Sequence, residues 1–373
     1  MKNKWNSIEE KKYIKKYKNN HIAQDLALRI YTTHLLGREK TLVLHGGGNT
    51  SLKTTSKNIF NKKIDIMHIK GSGWDMGSIE YPGLPAVELN PLKATLNLKK
   101  LNDFDMVNLQ RKCLLNSSSP NPSVETLLHA FLPHTYVDHT HASAILSLID
   151  QPNNIKICQD AFGDNVGIVP YVIPGFELAK IAYKVYTQNP KVIGLILLKH
   201  GIFTFGNSAK ESYDRMIKLV SIAEKKLQKI PNKIITRRAL KKNLTIEKKS
   251  NLFLPLIRKY LFHKEADGSY TKWILNIRTN KNIIKYLNHP KLEKFTQRGP
   301  ITPDHVIRIK PKPLIIDLRK KTGKQIEITI KNNIQKFKSE YIAFIDSDAY
   351  PNRNWLKLAI KYLKQKNIFC MNK

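Results

Sequence analysis

Apolar and polar positions repeat with two periods along this chain, and each change of period marks an element. HIAQDLALRIYTTHLL carries apolar residues three and four apart, which predicts an amphipathic helix. LVLHGGGNTSLK predicts a strand, a glycine turn and a second strand. IDIMHIKGSGWDM predicts a strand that ends in a second glycine turn, and PAVELNPLKATLNLKKL predicts a helix. Another helix is expected to start at Pro122-Ser123, with Ser123 as its cap and Glu125 in its first turn. Strands over YVDHTH, VGIVPYV and VIGLILLKHG alternate with helices over ASAILSLID, PGFELAKIAYKVYTQ and SAKESYDRMIKLVSIAEKKLQKI. The alternation has no regular βαβ rhythm, so the expected class is an α/β sandwich with a mixed sheet. Residues 1–20 read as a solvated basic arm. Residues 231–250 read as a basic linker that opens a smaller appended region running to about residue 339.

A chain of 373 residues is long enough to bury a full core in one large or two smaller domains. No apolar run approaches the roughly 18 residues that span a bilayer. The basic N-terminal stretch is not followed by an apolar one, so no secretory signal is expected. Cys113, Cys158 and Cys370 form neither a disulfide framework nor a CxxC metal motif, which fits a reducing cytoplasm. The formal net charge of +35 raises the question of an anionic partner. The lysines are spread over the whole chain, and arginine, the better fork for phosphate and base edges, is scarce. The charge is therefore read as compositional, and nucleic acid is not an expected partner.

The chemistry concentrates in three histidines and one glutamate. In YVDHTHASA, His139 and His141 are two apart and fall on one face of a strand. His200 closes the buried strand at a glycine turn, and Glu125 lies in PSVETLLHAFLP. Three neutral imidazoles with one open position are the donor set of a catalytic Zn²⁺ site, and a carboxylate beside it is a candidate general base. His129, four residues after Glu125, is expected to support or pack against the site, while His45, His68 and His134 have no matching pattern and read as structural. The glycine turns HGGGNTS and KGSGW expose main-chain N–H groups that suit an anion, with Asn49, Thr50, Ser51 and Ser72 adding side-chain donors. An esterase oxyanion element is excluded because no G-x-S-x-G elbow accompanies the HGGG string, and no G-x-G-x-x-G fingerprint follows a strand.

VLHGGGNTS, KGSGW, PSVETLLHAFLP, VDHTHA, PYVIPGFELAK and KHGIFTFG together resemble the class II aldolase/adducin family. The similarity is to its long form, the aldolase half of bifunctional rhamnulose-1-phosphate aldolase/alcohol dehydrogenase proteins, and GPITPDHVIRIK at 299–310 resembles a signature of that form. The resemblance covers roughly residues 20–340, with residues 21–230 as the aldolase/adducin domain. It implies an α/β/α sandwich with a central, mostly antiparallel sheet. It further implies His139, His141 and His200 as zinc ligands and Glu125 as the acid/base. Gly48, Asn49, Ser72, Gly73 and Ser123 match the family's phosphate-binding positions, and Val124 stands where short-form members often have a second serine.

Long-form members continue into a dehydrogenase domain that is not recognisable here. Residues 340–373 resemble instead a fragment of a family 2 glycosyltransferase, with Asp346 and Asp348 at its Asp-x-Asp positions. About 35 residues are too few for a nucleotide-sugar domain, so this end is expected to be inert. The expected function is zinc-dependent aldol cleavage of a small phosphorylated ketose by a cytoplasmic homo-oligomer. A non-catalytic adducin-like scaffold and a sugar-phosphate epimerase are the alternatives on this fold.

Overall fold

Among the described residues, seven short runs pair into one sheet. They are β1 (Asn49–Lys57), β2 (Lys63–Ile69), β3 (Ala86–Glu88), β4 (Tyr136–Thr140), β5 (Val166–Val169), β6 (Gly194–Leu197) and β7 (Gly201–Gly206). The structure is a computed structural model and describes residues 1–338 except 21, 231–245, 265–266, 272, 279, 308 and 319–320. The strand order is β3-β2-β1-β4-β7-β6-β5, antiparallel throughout except for the parallel β5–β6 pair. β4 is therefore the central strand, and all five of its residues are buried.

Among the described residues, helices α1 to α9 surround the sheet. They are α1 (Ser7–Lys18), α2 (Gln24–Gly37), α3 (Leu89–Ala94), α4 (Asp103–Lys112), α5 (Thr126–Phe131), α6 (Ser143–Ile149), α7 (Asn154–Phe162), α8 (Phe176–Gln188) and α9 (Ala209–Gln228). Alternation along each strand sorts them into two layers. Val137, Leu195, Phe203 and Phe205 join Leu92, Met106, Phe131 and Phe176 of α3, α4, α5 and α8 in one core. Ile196 and Ile202 point the other way, toward Leu36, Ile145, Phe162 and Met216 of α2, α6, α7 and α9. These elements thus form an α/β/α sandwich around a mostly antiparallel sheet.

Several elements depart from the sequence pattern. LVL at 42–44 is not a strand; the chain turns there, and Gly46 and Gly48 adopt φ of +83° and +60° before β1 starts at Asn49. Ala86–Glu88 pairs with β2 before the chain turns helical at Leu89, because strand pairing outweighs local helix propensity. Residues 1–20 contain α1, which starts on an Asn6 cap and buries Tyr17 against Ala27 and Ile30. Two tyrosines four apart give this basic stretch an apolar stripe. Helices α4 and α7 and strand β7 are additional to the elements that the sequence pattern predicts.

The first unit comprises Met1–Pro231 and Ile301–Ile307. The second holds α10 (Ile246–Leu261), a short β8–β9 ribbon (His263–Lys264 and Tyr270–Thr271), α11 (Lys281–Leu287), α12 (Leu292–Thr296) and, after the excursion, α14 (Gly323–Lys338). α13 (Pro303–Val306) belongs to the first unit. Lys259 and Tyr260 of α10 reach Glu327 of α14 at 3.0 and 2.7 Å. Residues 231–245 of the expected linker and the whole 340–373 end, with Asp346 and Asp348, lie outside the described residues. Among the described residues no helix is long and apolar enough to cross a membrane.

On the α2 and α9 side of β4, Asp138 pairs with Arg29 at 2.5 Å, and neither side chain has measurable exposure. Ser212 of α9 donates to the other Asp138 oxygen at 2.5 Å, and Arg29 donates to the Ser51 carbonyl at 3.3 Å. The pair ties α2, α9, β1 and β4 together. A buried ion pair adds little net stability, but removing one partner strands the other charge. We predict that Asp138→Ala lowers unfolding free energy by about 3–5 kcal/mol. Chemical denaturation measures this, and a loss near zero would show that the pair does not anchor the sheet.

Candidate active site

The sheet turns its other face toward α5, and the three expected histidines meet there. His139 and His141 leave β4 on the same side. His200 reaches them from the turn between β6 and β7, where Lys199 is held at φ +59° and the His200 N–H donates to the Leu197 carbonyl. One nitrogen of each ring lies within 4.8 Å of the others, and all three residues are buried. His139 Nδ1–H donates to the Ile202 carbonyl at 3.0 Å, and His141 Nδ1–H donates to Asp304 at 2.6 Å. These bonds leave Nε2 of both rings facing the cluster, 3.0 Å apart. His200 Nε2 faces Glu125 Oε1 at 3.1 Å, while its Nδ1 is buried without a hydrogen-bond partner among the described residues.

Gly201 explains the glycine after His200. A Cβ there would lie 2.5 Å from the Thr140 carbonyl oxygen and 3.1 Å from the rings of His139 and His141. Phe203, opposite His139 in the β4–β7 register, stacks on its imidazole at 4.2 Å. Burial pushes the His139 imidazole well below its usual pKa, against the opposing pull of the Glu125 carboxylate.

Glu125 sits immediately before α5, two residues beyond the expected Ser123 start, and its carboxylate faces the cluster. Oε2 lies 3.3 Å from His139 Nε2 and accepts from Asn49 Nδ2 at 2.7 Å. Burial raises the carboxyl's pKa, but His139, His200 and His141 together outweigh it and hold the group well below the usual carboxylate range. Because Asn49 turns its amide N–H₂ to Glu125, its Oδ1 accepts from His129 Nε2, and His129 Nδ1 then accepts from Ser51 Oγ at 2.8 Å. Burial pushes His129 down to about 3, so it serves this network as a neutral ring. His129 thus lies behind Asn49 and outside the three-histidine cluster.

The five expected phosphate positions divide. Asn49 and Ser123 lie against Glu125, with Asn49 Nδ2 also donating to Ser123 Oγ at 3.0 Å. Gly48 is needed by β4: its φ is +60° and a Cβ would lie 2.7 Å from the His139 carbonyl oxygen. Ser72 N–H donates to the Asn121 carbonyl at 2.8 Å, and Gly73 adopts φ +74° with open space around it. His68 and His134 lie outside the cluster, bonded to the Leu84 carbonyl at 3.1 Å and the Tyr186 hydroxyl at 3.1 Å.

Two residues carry structure here that the sequence reading did not assign. Lys70 is buried, and its ammonium donates to the carbonyls of Gly46 and Trp74 at 2.8 Å each and Gly71 at 3.3 Å. It thereby joins the two glycine turns. Its position between an apolar strand and KGSGW was the only sequence signal. The other is Asp304, to which the sequence of GPITPDHVIRIK gives no role.

Residues 28–227 match the class II aldolase and adducin N-terminal domain, and residues 248–358 match the second domain of class II aldolases. The chain belongs to the class II aldolase/adducin family. The second-domain match runs to residue 358, so residues 340–358, expected to belong to a glycosyltransferase-like fragment, match an aldolase second domain instead. The uncharacterized oxidoreductase YuxG of Bacillus subtilis (strain 168) is 31% identical over 321 residues, which is 84% of this chain and 46% of that protein. The chain thus spans less than half the length of this curated relative. The N-terminal class II aldolase domain of a conserved protein from Thermoplasma acidophilum is 39% identical, with a TM-score of 0.52 over 54% of this chain and 93% of that chain. The chain therefore carries the family's fold around the histidine cluster.

Close packing at Gly201 gives a prediction. Gly201→Ala should cost about 1–3 kcal/mol by overpacking and should displace the His139 and His141 rings. Denaturant midpoints and the metal content of purified protein measure both effects. Wild-type values for both would contradict the close approach.

Proposed function

We propose that this chain is a zinc-dependent class II aldolase that cleaves a ketose 1-phosphate, rhamnulose 1-phosphate-like, to dihydroxyacetone phosphate and an aldehyde. One observation carries the reading: three buried imidazoles converge within 4.8 Å, with the Glu125 carboxylate against two of them. A scaffold would have no use for this donor set. Three nitrogen donors suit Zn²⁺ and leave a position open for substrate. A bound Zn²⁺ supplies Lewis acidity to the substrate's carbonyl and hydroxyl oxygens.

The chain's own residues do the rest. Glu125, kept as an anion and aimed by Asn49, takes and returns the proton at the nucleophilic carbon. Glu125 is itself buried, at 8% exposure, which limits water around that carboxylate. The turns at Gly48 and at Ser72-Gly73 are assigned to the phosphate, with Asn49 and Ser123 bridging that anchor to Glu125. The reading includes a homo-oligomer in the cytoplasm, in keeping with Cys113 and Cys158, which are buried and free.

Metal analysis of the purified chain, together with a screen of ketose 1-phosphates for aldehyde release, tests the reading directly. Stoichiometric zinc and release of dihydroxyacetone phosphate are expected. In Glu125→Gln, metal content should persist while turnover falls about 10²–10⁴-fold, the usual contribution of a general base. Full turnover in that variant would remove Glu125 from the chemistry. Ser72→Ala should raise KM for the phosphorylated substrate and leave an unphosphorylated analogue unaffected. Equal effects on both would count against the phosphate assignment.

A further inference from the structure

Asp304 lies 163 residues from His141 in sequence, yet its Oδ1 accepts the His141 Nδ1–H at 2.6 Å. Its other oxygen accepts the Leu44 N–H at 2.9 Å. The residue is 2% exposed, so this carboxylate is held inside the protein by two named donors. Its position is set locally: Thr302 caps α13 through the His305 N–H at 3.2 Å, and Pro303 occupies the first helical turn, where its missing N–H costs nothing.

An independent observation comes from the glycine turn. Gly46 and Gly48 have positive φ, but Gly47 does not, so backbone freedom does not explain a glycine at 47. Space does. A Cβ on Gly47 would lie 1.6 Å from Asp304 Oδ1. The middle glycine of HGGG leaves room for this carboxylate, and the turn and the acid fit one another.

We propose that Asp304 is a positioning residue of the metal centre, which fixes the His141 ring and keeps the proton on Nδ1 so that Nε2 faces the other two histidines. The inference rests on the metal-site reading above. An imidazole whose far nitrogen donates to a carboxylate is locked in one tautomer and becomes a stronger ligand through the near nitrogen. Among the described residues, the other two rings lack this support: His139 Nδ1 meets a main-chain carbonyl and His200 Nδ1 meets nothing. The three imidazoles are therefore not equivalent, and His141 is the one whose donor strength a side chain controls.

The test uses the full chain and Zn²⁺ itself. Affinity is measured by competition with a chromophoric chelator, and the His141 tautomer is read in the metal-free protein from imidazole ¹⁵N shifts. Asp304→Ala should weaken Zn²⁺ binding about 10–100-fold, the range for losing such an outer partner. It should also convert His141 from a pure Nδ1–H form to a mixture. Asp304→Asn should fall near Asp304→Ala, because both neighbours are donors and the amide offers only one oxygen. Gly47→Ala should reproduce the loss without touching a ligand, and the combination with Asp304→Ala should be less than additive. If Asp304→Ala fails to fold, the Asn and Gly47→Ala variants carry the test. Wild-type affinity and an unchanged tautomer in the folded variants overturn this proposal alone. Failure of the wild-type chain to bind Zn²⁺ overturns the metal-site reading and this proposal with it.

Discussion

The register of β4 between β1 and β7 is the constraint on which the rest depends. It sets Asn49 and Phe203 on either side of His139, so one neighbouring strand supplies the side chain that aims Glu125 and the other supplies the ring that the imidazole stacks on. A slip of one residue would turn every β4 side chain to the opposite face. The Arg29–Asp138 pair on the helix α2 side penalises such a slip, because it would present a buried charge to the apolar layer that holds Phe131 and Phe176. The polar interior on one face of the sheet thereby holds the reactive cluster in place on the other.

Within that frame, the site separates charge from neutrality by hydrogen-bond direction. Asn49 stands between Glu125 and His129 and offers N–H to one and oxygen to the other. A carboxylate and a neutral imidazole only a side chain apart are stable together because the amide is polar at both ends. The same amide would lose one of these bonds if either neighbour changed protonation, so the network resists exchange of a proton between them.

Much of this was legible in the amino-acid order. The His-x-His pair, the strand-end His200 and Glu125 carry their meaning in period and spacing, and the class of fold follows from the alternation of elements. What was not legible depends on contacts without a local pattern. The strand at Ala86–Glu88 reads as helix until β2 lies beside it. The N-terminal helix is hidden by lysines that face water while Tyr13 and Tyr17 reach His34 and Glu80. Asn49 and Ser123 look like anion donors in their loops, and only the folded chain shows them against Glu125. Gly47 is indistinguishable from its neighbours in the string HGGG, since the reason for it lies at residue 304. Thr302 and Pro303 start α13 in the folded chain, but nothing in the sequence of GPITPDH says which side chain Asp304 approaches.

The 163-residue separation of His141 and Asp304 also orders events in time. All three histidines have been synthesised about 100 residues before Asp304, an interval of roughly 5–20 s at ordinary rates of chain elongation. During that interval the sheet and its imidazoles can assemble on the ribosome while the His141 ring still lacks its acidic partner. Arrival of the 301–307 segment is the last covalent event the centre awaits. A nascent chain stalled short of it would carry the three histidines with Leu44 and His141 unsatisfied, an intermediate distinguishable from the finished protein by the state of a single imidazole.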